Sequence, residues 1–220
     1  MSAHGSRLAT RPFLFTAVAA LLIPAHLPGQ AREAALGEAR QIAGELTDRL
    51  RGLLGREMAQ GGLGGAVRVC SEVALKSTSE FSAQKGRYVR RVSLRNRNPE
   101  NAPDENERRM LERFVQQQRD GSLATEYSEV VTQEGRDTLV YFKPVLMGPV
   151  CLSCHGPAES IPAEVRKILA ERYPKDTATG YTNGEVRGAI AVKVPLARTP
   201  ARSARQPGEY RGGRSSEEAR

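Results

Sequence analysis

The sequence predicts an α+β fold in which helices flank a mainly antiparallel sheet. Residues 32–60 carry Leu and Ile at spacings of three and four, the pattern of a long amphipathic helix near the N-terminus. The second and third of four later β-rich segments are separated by a short polar stretch that suits a hairpin, so neighbouring strands are expected to run antiparallel. The fourth alternates apolar with charged residues, which predicts a strand buried on one face only. The four segments are 87–94, 124–132, 137–146 and 185–194.

Three further helices are expected around these strands. The glycine-rich stretch 61–65 breaks the first helix. A second helix follows, with apolar positions repeating over residues 66–81, and Gly86 is expected to end it. Asp104 with Glu107 three residues later resembles a capping box, which starts a third helix. A fourth helix covers residues 164–173 and is stopped by the proline that follows.

The two ends of the chain differ from its middle in composition. Residues 1–31 have the organisation of a secretory signal, in which two arginines precede an apolar run too short to span a bilayer. The sequence therefore predicts export to the periplasm with no stable transmembrane span. Residues 197–220 have almost no apolar side chains, which is typical of a disordered basic tail. A single domain over residues 32–196 remains, and it is large enough to form its own core.

The most informative motif is C-x-x-C-H, formed by Cys151, Cys154 and His155. At this spacing two thiols can each add to one of the two vinyl groups on the same porphyrin edge, and the adjacent imidazole can bind the iron. The motif therefore predicts one covalently attached haem c, with His155 as the proximal ligand. Zinc binding and dithiol redox chemistry are less favoured alternatives. Zinc would need a fourth ligand, and the Gly156-Pro157 that follows does not continue the helix expected of a catalytic dithiol.

The histidine count limits the distal iron ligand. Of 3 histidines in the chain, His4 and His26 lie in the predicted signal, so the mature protein would keep His155 alone. A haem with two histidine ligands is then excluded. The remaining candidates for the distal position are Met58, Met110, Met147, Cys70, a lysine, a water molecule or no ligand.

Cys70 is the third cysteine and has no obvious disulfide partner within the chain. A free cysteine of this kind can be a small buried hydrophobe, form an intermolecular disulfide or ligate iron. The residues alone leave these three choices open.

Seven short segments, taken in order, resemble a family of c-type haem proteins with a PAS-like sensor fold that was long catalogued as a domain of unknown function. The resemblance extends over about residues 35–196. It implies a PAS-like antiparallel sheet and a single haem with His155 and Cys70 as axial ligands and with Cys151 and Cys154 as thioether anchors. The segments are 69–72, 90–104, 143–144, 151–156, 170–174, 179–181 and 187–189.

This ligand set indicates a sensor of redox state or of a diatomic gas. A thiolate opposite an imidazole stabilises ferric iron, so reduction, thiolate protonation or gas binding would release Cys70 and move its helix. Since no output domain follows, a sensor of this kind must report to a separate redox or signalling partner. The alternative is a simple periplasmic electron carrier with fixed ligands, of which Met147 is the candidate distal one. A haem enzyme is not expected, because no second histidine can serve as an acid–base group.

The formal net charge of +8 is concentrated in arginine, most densely at positions 87, 90, 91, 95 and 97. A solvated strand face is the ordinary interpretation of this cluster. The functional one is pairing with haem propionates or with an acidic redox partner. Nucleic acid is not an expected partner, because aromatic residues make up only 5% of an exported chain that has no binding motif.

Overall fold

The computed structural model describes residues 28–133 and 135–196, so most of the predicted signal and the whole predicted tail lie outside the described residues. The helices are α1 (Pro28–Arg68), α2 (Ala74–Lys85), α3 (Glu105–Arg119), the single turn α4 (Leu152–His155) and α5 (Ala163–Arg172). The strands are β1 (Tyr88–Val92), β2 (Tyr127–Gln133), β3 (Arg136–Leu146) and β4 (Val186–Pro195). Among the described helices, none combines the length and apolar character needed to cross a membrane.

The four strands form one antiparallel sheet in the order β1-β4-β3-β2. The predicted hairpin is present, because β2 and β3 pair in register from Tyr127 with Phe142 to Gln133 with Arg136. The prediction of an α+β fold with a long N-terminal helix is therefore confirmed, and the arrangement is consistent with a PAS-like fold.

The prediction that the last strand is buried on one face only is wrong. β4 lies between β1 and β3, and helices cover both of its faces. Ile190 and Val192 pack in the cluster that includes residues of α1, and Ala189 and Ala191 pack in the cluster that includes residues of α3. Charged residues at a few positions of this strand produce an apolar–polar alternation in the sequence. The strand is nevertheless buried on both faces, because it lies in the middle of the sheet with helices on either side.

The predicted break between the first two helices is a single kink. Gly62 has φ 58° and ψ −148°, a backbone conformation that glycine adopts readily and other residues avoid, and helix continues on either side of it. At the same bend, Gly65 approaches the carbonyl oxygen of Glu57 so closely that a Cβ would lie 2.7 Å from it. The glycines therefore allow α1 to bend sharply and bring its last residues toward α5, with Val67 packing against Ile161 and Val165.

The second helix starts in an unexpected way. A π-helical segment, Val69–Val73, joins α1 to α2, and α2 then continues to Lys85. Gly86 ends it in the left-handed conformation, as its position after the helix predicts. The capping box of α3 is confirmed, because the Asp104 side chain accepts from the Glu107 backbone and Glu107 returns the hydrogen bond.

Candidate functional site

The C-x-x-C-H motif lies on a tight helical turn after β3. A 3-10 turn, Pro149–Cys151, leads directly into α4, and the Gly156 amide closes the turn on the Leu152 carbonyl at 2.8 Å. A Cβ at position 156 would lie 2.6 Å from the same carbonyl oxygen, so the compact ending of the turn requires glycine. All three cysteines of the chain are free thiols.

The segment that precedes β4 holds this turn in place. The amides of Gly180 and Tyr181 donate to the carbonyl oxygens of Gly156 and His155, at 2.7 and 2.9 Å. The Tyr181 ring meets the His155 ring edge to face, with 6.4 Å between ring centroids. These contacts fix the end of the motif and the plane of the imidazole together.

His155 is a neutral imidazole, and one of its ring nitrogens forms a hydrogen bond. Its Nδ1 lies 2.6 Å from the Ala178 carbonyl oxygen, and because that oxygen can only accept, Nδ1 carries the proton. Burial, with the charges of Arg187 and Arg97, lowers the pKa of His155 to about 3. The unprotonated Nε2 is therefore the ring nitrogen available to bind a metal at neutral pH.

Arg97 supports the same arrangement from the loop after β1. Its Nε donates to Asp176 at 2.8 Å, and its Nη2 donates to the Cys154 carbonyl oxygen at 2.5 Å. Asp176 in turn accepts from the Ala178 amide at 2.8 Å. A buried ion pair thus connects the motif to the carbonyl that orients His155.

Two cavities adjoin beside the motif. The larger, about 630 Å³, is bounded mainly by α1, the π-helical segment and the end of β3. The smaller, about 230 Å³, reaches His155 and Arg187. Their common walls are formed by Leu54, Cys70, Arg91, Val145 and Cys151.

Cys70 and Cys151 therefore line the smaller cavity together with His155, although Cys70 precedes His155 by 85 residues. The π-helical segment presents Cys70 there, and π-bulges within helices are frequent at functional sites. Cys154 is different, because it lines neither cavity and packs against the cluster that contains Val67 and Ile161. Burial raises the pKa of the Cys154 thiol.

The described methionines lie away from this space. Met147 is buried beneath the motif with Ala178 and Tyr181, Met110 lies in the core under α3, and Met58 lines neither cavity. The structure thus offers no methionine on the cavity wall among residues 28–133 and 135–196. Lys143 does line the larger cavity, so a lysine remains a second possible ligand in the mature site.

The mouth of the larger cavity is apolar. Four large hydrophobic side chains are exposed in the described part of the chain, and three of them, Val145, Leu146 and Val150, line this cavity. Exposed apolar surface that is concentrated at one cleft is typical of a binding site for an apolar ligand. Within the described ranges there is no cluster of three or more His, Cys, Asp or Glu side chains that could hold a metal ion by itself.

The arginine cluster predicted from the sequence is not one surface. Arg87 forms an ion pair with Glu38 of α1, and Arg90 of β1 forms one with Glu107 of α3. Both arginines therefore connect the β1 region to a helix. Arg91 lines both cavities and Arg97 lines the smaller one. Arg187 and Asp176 are site residues that were not expected from the sequence. Arg187 had one signal, since it begins segment 187–189, which carries part of the family resemblance, whereas nothing local marked Asp176.

These features define a small α+β domain whose C-x-x-C-H motif faces a partly apolar cavity. The chain belongs to the Tll0287-like family, whose family model, described as Tll0287, matches residues 28–195. Its fold is similar to the crystal structure of the cyanobacterial heme-protein Tll0287, with a TM-score of 0.58 at 24% identity, over 79% of this chain and 99% of that one. No curated protein matches the sequence.

Proposed function

We propose that this protein carries one covalent haem c in the two joined cavities, with His155 as the proximal ligand and Cys151 and Cys154 as the thioether anchors. The membership of the Tll0287-like family and the likeness to a heme-protein support haem as the cofactor. The neutral His155 with a free Nε2 and the apolar mouth of the cavity fit such a group. The role of Cys154 rests on the motif spacing, because its side chain packs on the other side of the turn.

The distal ligand in this proposal is Cys70. The observation that carries it is that the smaller cavity is lined by Cys70, Cys151 and His155, while none of the described methionines lines either cavity. A thiolate opposite an imidazole favours ferric iron and a low reduction potential.

The function that this ligand set supports best is sensing of redox state or of a diatomic gas in the periplasm, after export. When bound, a haem iron supplies a one-electron couple and, once a ligand leaves, a position for a gas molecule. The π-helical segment that carries Cys70 is tied to α5 by two contacts: an ion pair of Glu72 with Arg172 and a hydrogen bond from Tyr173 to the Cys70 carbonyl. Release of Cys70 would therefore change how the π-helical segment packs against the end of α5, and a separate signalling or redox partner would detect that change.

The first test is the absorption spectrum of the full chain, produced with a c-type maturation system, in the ferric and ferrous states. Cys70→Ala is expected to keep covalent haem and to lose the low-spin ferric spectrum, because the strong-field thiolate is gone. Met147→Leu and Lys143→Met are the matched controls and are expected to leave the spectrum unchanged. Identical spectra for wild type and Cys70→Ala would overturn the ligand assignment, and absence of covalent haem from wild type would overturn the function.

Simple electron transfer is the second candidate. The exposed apolar side chains at the cavity mouth favour it, since they would leave an edge of the cofactor near the surface for a redox partner. Carbon monoxide separates the two functions. A sensor that releases Cys70 binds the gas after reduction, whereas a carrier with fixed ligands gives the same ferrous spectrum with and without it.

A further inference from the structure

Three arginines on the cavity wall point to a carboxylate-binding site. We propose that Arg91, Arg97 and Arg187 bind the two propionate carboxylates of the haem and so determine how it is oriented in the cavity. This inference rests on the proposed function and adds the residues that recognise the polar edge of the cofactor.

The first observation is that three buried side-chain nitrogen atoms of the described residues have no hydrogen-bond partner, and two of them belong to residues of the smaller cavity. These two are Nε of Arg91 and Nη1 of Arg97; the third, Nε of Arg87, lies outside it. Buried polar atoms are nearly always satisfied, and a buried guanidinium without a partner is costly. Both residues line the smaller cavity, so a ligand there can supply the missing acceptors.

The second observation is the balance of charge. No aspartate or glutamate lines either cavity in the part of the chain that the structure describes. Arg97 has Asp176 as its counter-ion, whereas Arg187 is held by neutral acceptors, the Ser93 hydroxyl and the Arg95 carbonyl. Arg91 and Arg187 therefore add two uncompensated positive charges, which two carboxylates would neutralise.

The third observation is the arrangement of the arginines relative to the motif. Arg187 is carried by β4, Arg91 by the neighbouring β1, and Arg97 by the loop that follows β1. All three lie on the smaller cavity together with His155, and the apolar mouth belongs to the larger cavity. A ligand with one polar edge and one apolar edge matches this division. Burial lowers the pKa of the Arg91 and Arg187 guanidinium groups, and for Arg187 it outweighs the opposing effect of the Asp176 carboxylate.

The test compares wild type, Arg91→Met and Arg91→Lys as haem-loaded full chains. Within the described residues the Arg91 side chain makes no hydrogen bond or ion pair, so its replacement removes charge with little loss of structure. Arg91→Met is expected to shift the propionate bending band in resonance Raman spectra and to favour ferric over ferrous protein by about tenfold, which is 59 mV for a one-electron couple. Arg91→Lys keeps the charge and is expected to retain most of the potential while still shifting the band, because lysine cannot bind a carboxylate through two parallel hydrogen bonds.

Arg108→Met, on the exposed face of α3, is the matched control and is expected to change neither quantity. An unchanged propionate band in haem-loaded Arg91→Met and Arg91→Lys would overturn the proposal. So would a shift confined to the iron–sulfur band, because Arg91 would then serve the Cys70 thiolate. If Arg91→Met does not fold, Arg91→Lys and Arg187→Lys give the same band comparison with the charge retained. Absence of haem from wild type would instead count against the proposed function.

Discussion

Arg97 and Asp176 form an ion pair at 2.8 Å that is almost completely buried, with side-chain exposures of 5% and 11%. The same carboxylate accepts from the Ala178 amide, whose residue provides the carbonyl that orients His155. The position of the imidazole therefore depends on an ion pair more than 20 residues away from it along the chain.

We expect Asp176→Ala to destabilise the protein by about 3 kcal/mol, because it leaves the buried Arg97 guanidinium without its counter-ion. Denaturant unfolding of the full chain measures this. Asp48→Ala, at an exposed position of α1, is the control and is expected to change the free energy of unfolding by less than about 0.5 kcal/mol. Equal effects of the two substitutions would show that the ion pair contributes nothing.

Gly156→Ala tests the tight ending of the motif turn. A Cβ there would lie 2.6 Å from the Leu152 carbonyl oxygen, so the turn must open, at a cost of about 1–3 kcal/mol. Gly148→Ala is a matched control on the other side of the motif, since its Cβ would meet only the Cys151 sulfur at an ordinary 3.9 Å. Thermal unfolding of the two variants should separate them clearly, and a Gly156→Ala protein as stable as Gly148→Ala would contradict the close approach.

The kink in α1 predicts that alanine substitutions at two nearby glycines change the free energy of unfolding in opposite directions. Gly62→Ala is expected to destabilise by about 1–3 kcal/mol, because alanine is strained at φ 58° and ψ −148°. Gly64→Ala lies in helical backbone with open space around the added methyl group, and it is expected to stabilise by about 0.5–1 kcal/mol. Denaturant unfolding checks both values, and two changes of the same sign would mean that the bend is not located at Gly62.

The contact between α1 and the start of β2 predicts a dependence of stability on pH. Glu126 accepts from Arg40 at 2.6 and 2.8 Å and from the Tyr141 hydroxyl at 3.0 Å, and the hydrogen bond from Arg40 is the main reason that its pKa is lowered from 4.5. A carboxyl whose pKa is lower in the folded state stabilises the protein above its unfolded pKa, and this contribution is lost as the pH falls through the folded value.

Wild type is therefore expected to exceed Glu126→Gln in stability at pH 6, with a difference that shrinks as the pH falls below about 4.5. Denaturant unfolding between pH 3 and pH 6 measures it, in steps of about half a pH unit. Glu112→Gln, exposed on α3, serves as the control, for which no such convergence is expected. A constant difference between wild type and Glu126→Gln across this range would contradict the ion-pair explanation.

Local patterns predicted the local structure well. The Asp104–Glu107 capping box, the hairpin before the motif and the end of α2 at Gly86 each depend on a few neighbouring residues, and each is present. The C-x-x-C-H motif is likewise local, and it coincides with the single helical turn α4.

Features that depend on distant residues were harder to predict. The burial of β4 on both faces follows from its two neighbouring strands and from helices on either side, none of which its own alternation reveals. In the same way, no spacing rule brings Cys70 to Cys151, because a kink at Gly62 and a π-helical segment together set its position. The meeting of Arg91 and Arg187 in one cavity requires the pairing of the first and last strands of the sheet.

The last described strand, β4, lies inside the sheet, and this position constrains the order in which the sheet can form. Among the described strands β1 pairs with β4 alone, although about 100 residues separate them, so the sheet cannot be completed until residue 195 has emerged into the compartment where the chain folds. The cysteines at 151 and 154 emerge earlier, on a chain whose sheet still lacks the strand that carries Arg187. Both thiols are therefore accessible to chemistry on the unfolded chain before β4 completes the sheet and closes the fold around the motif.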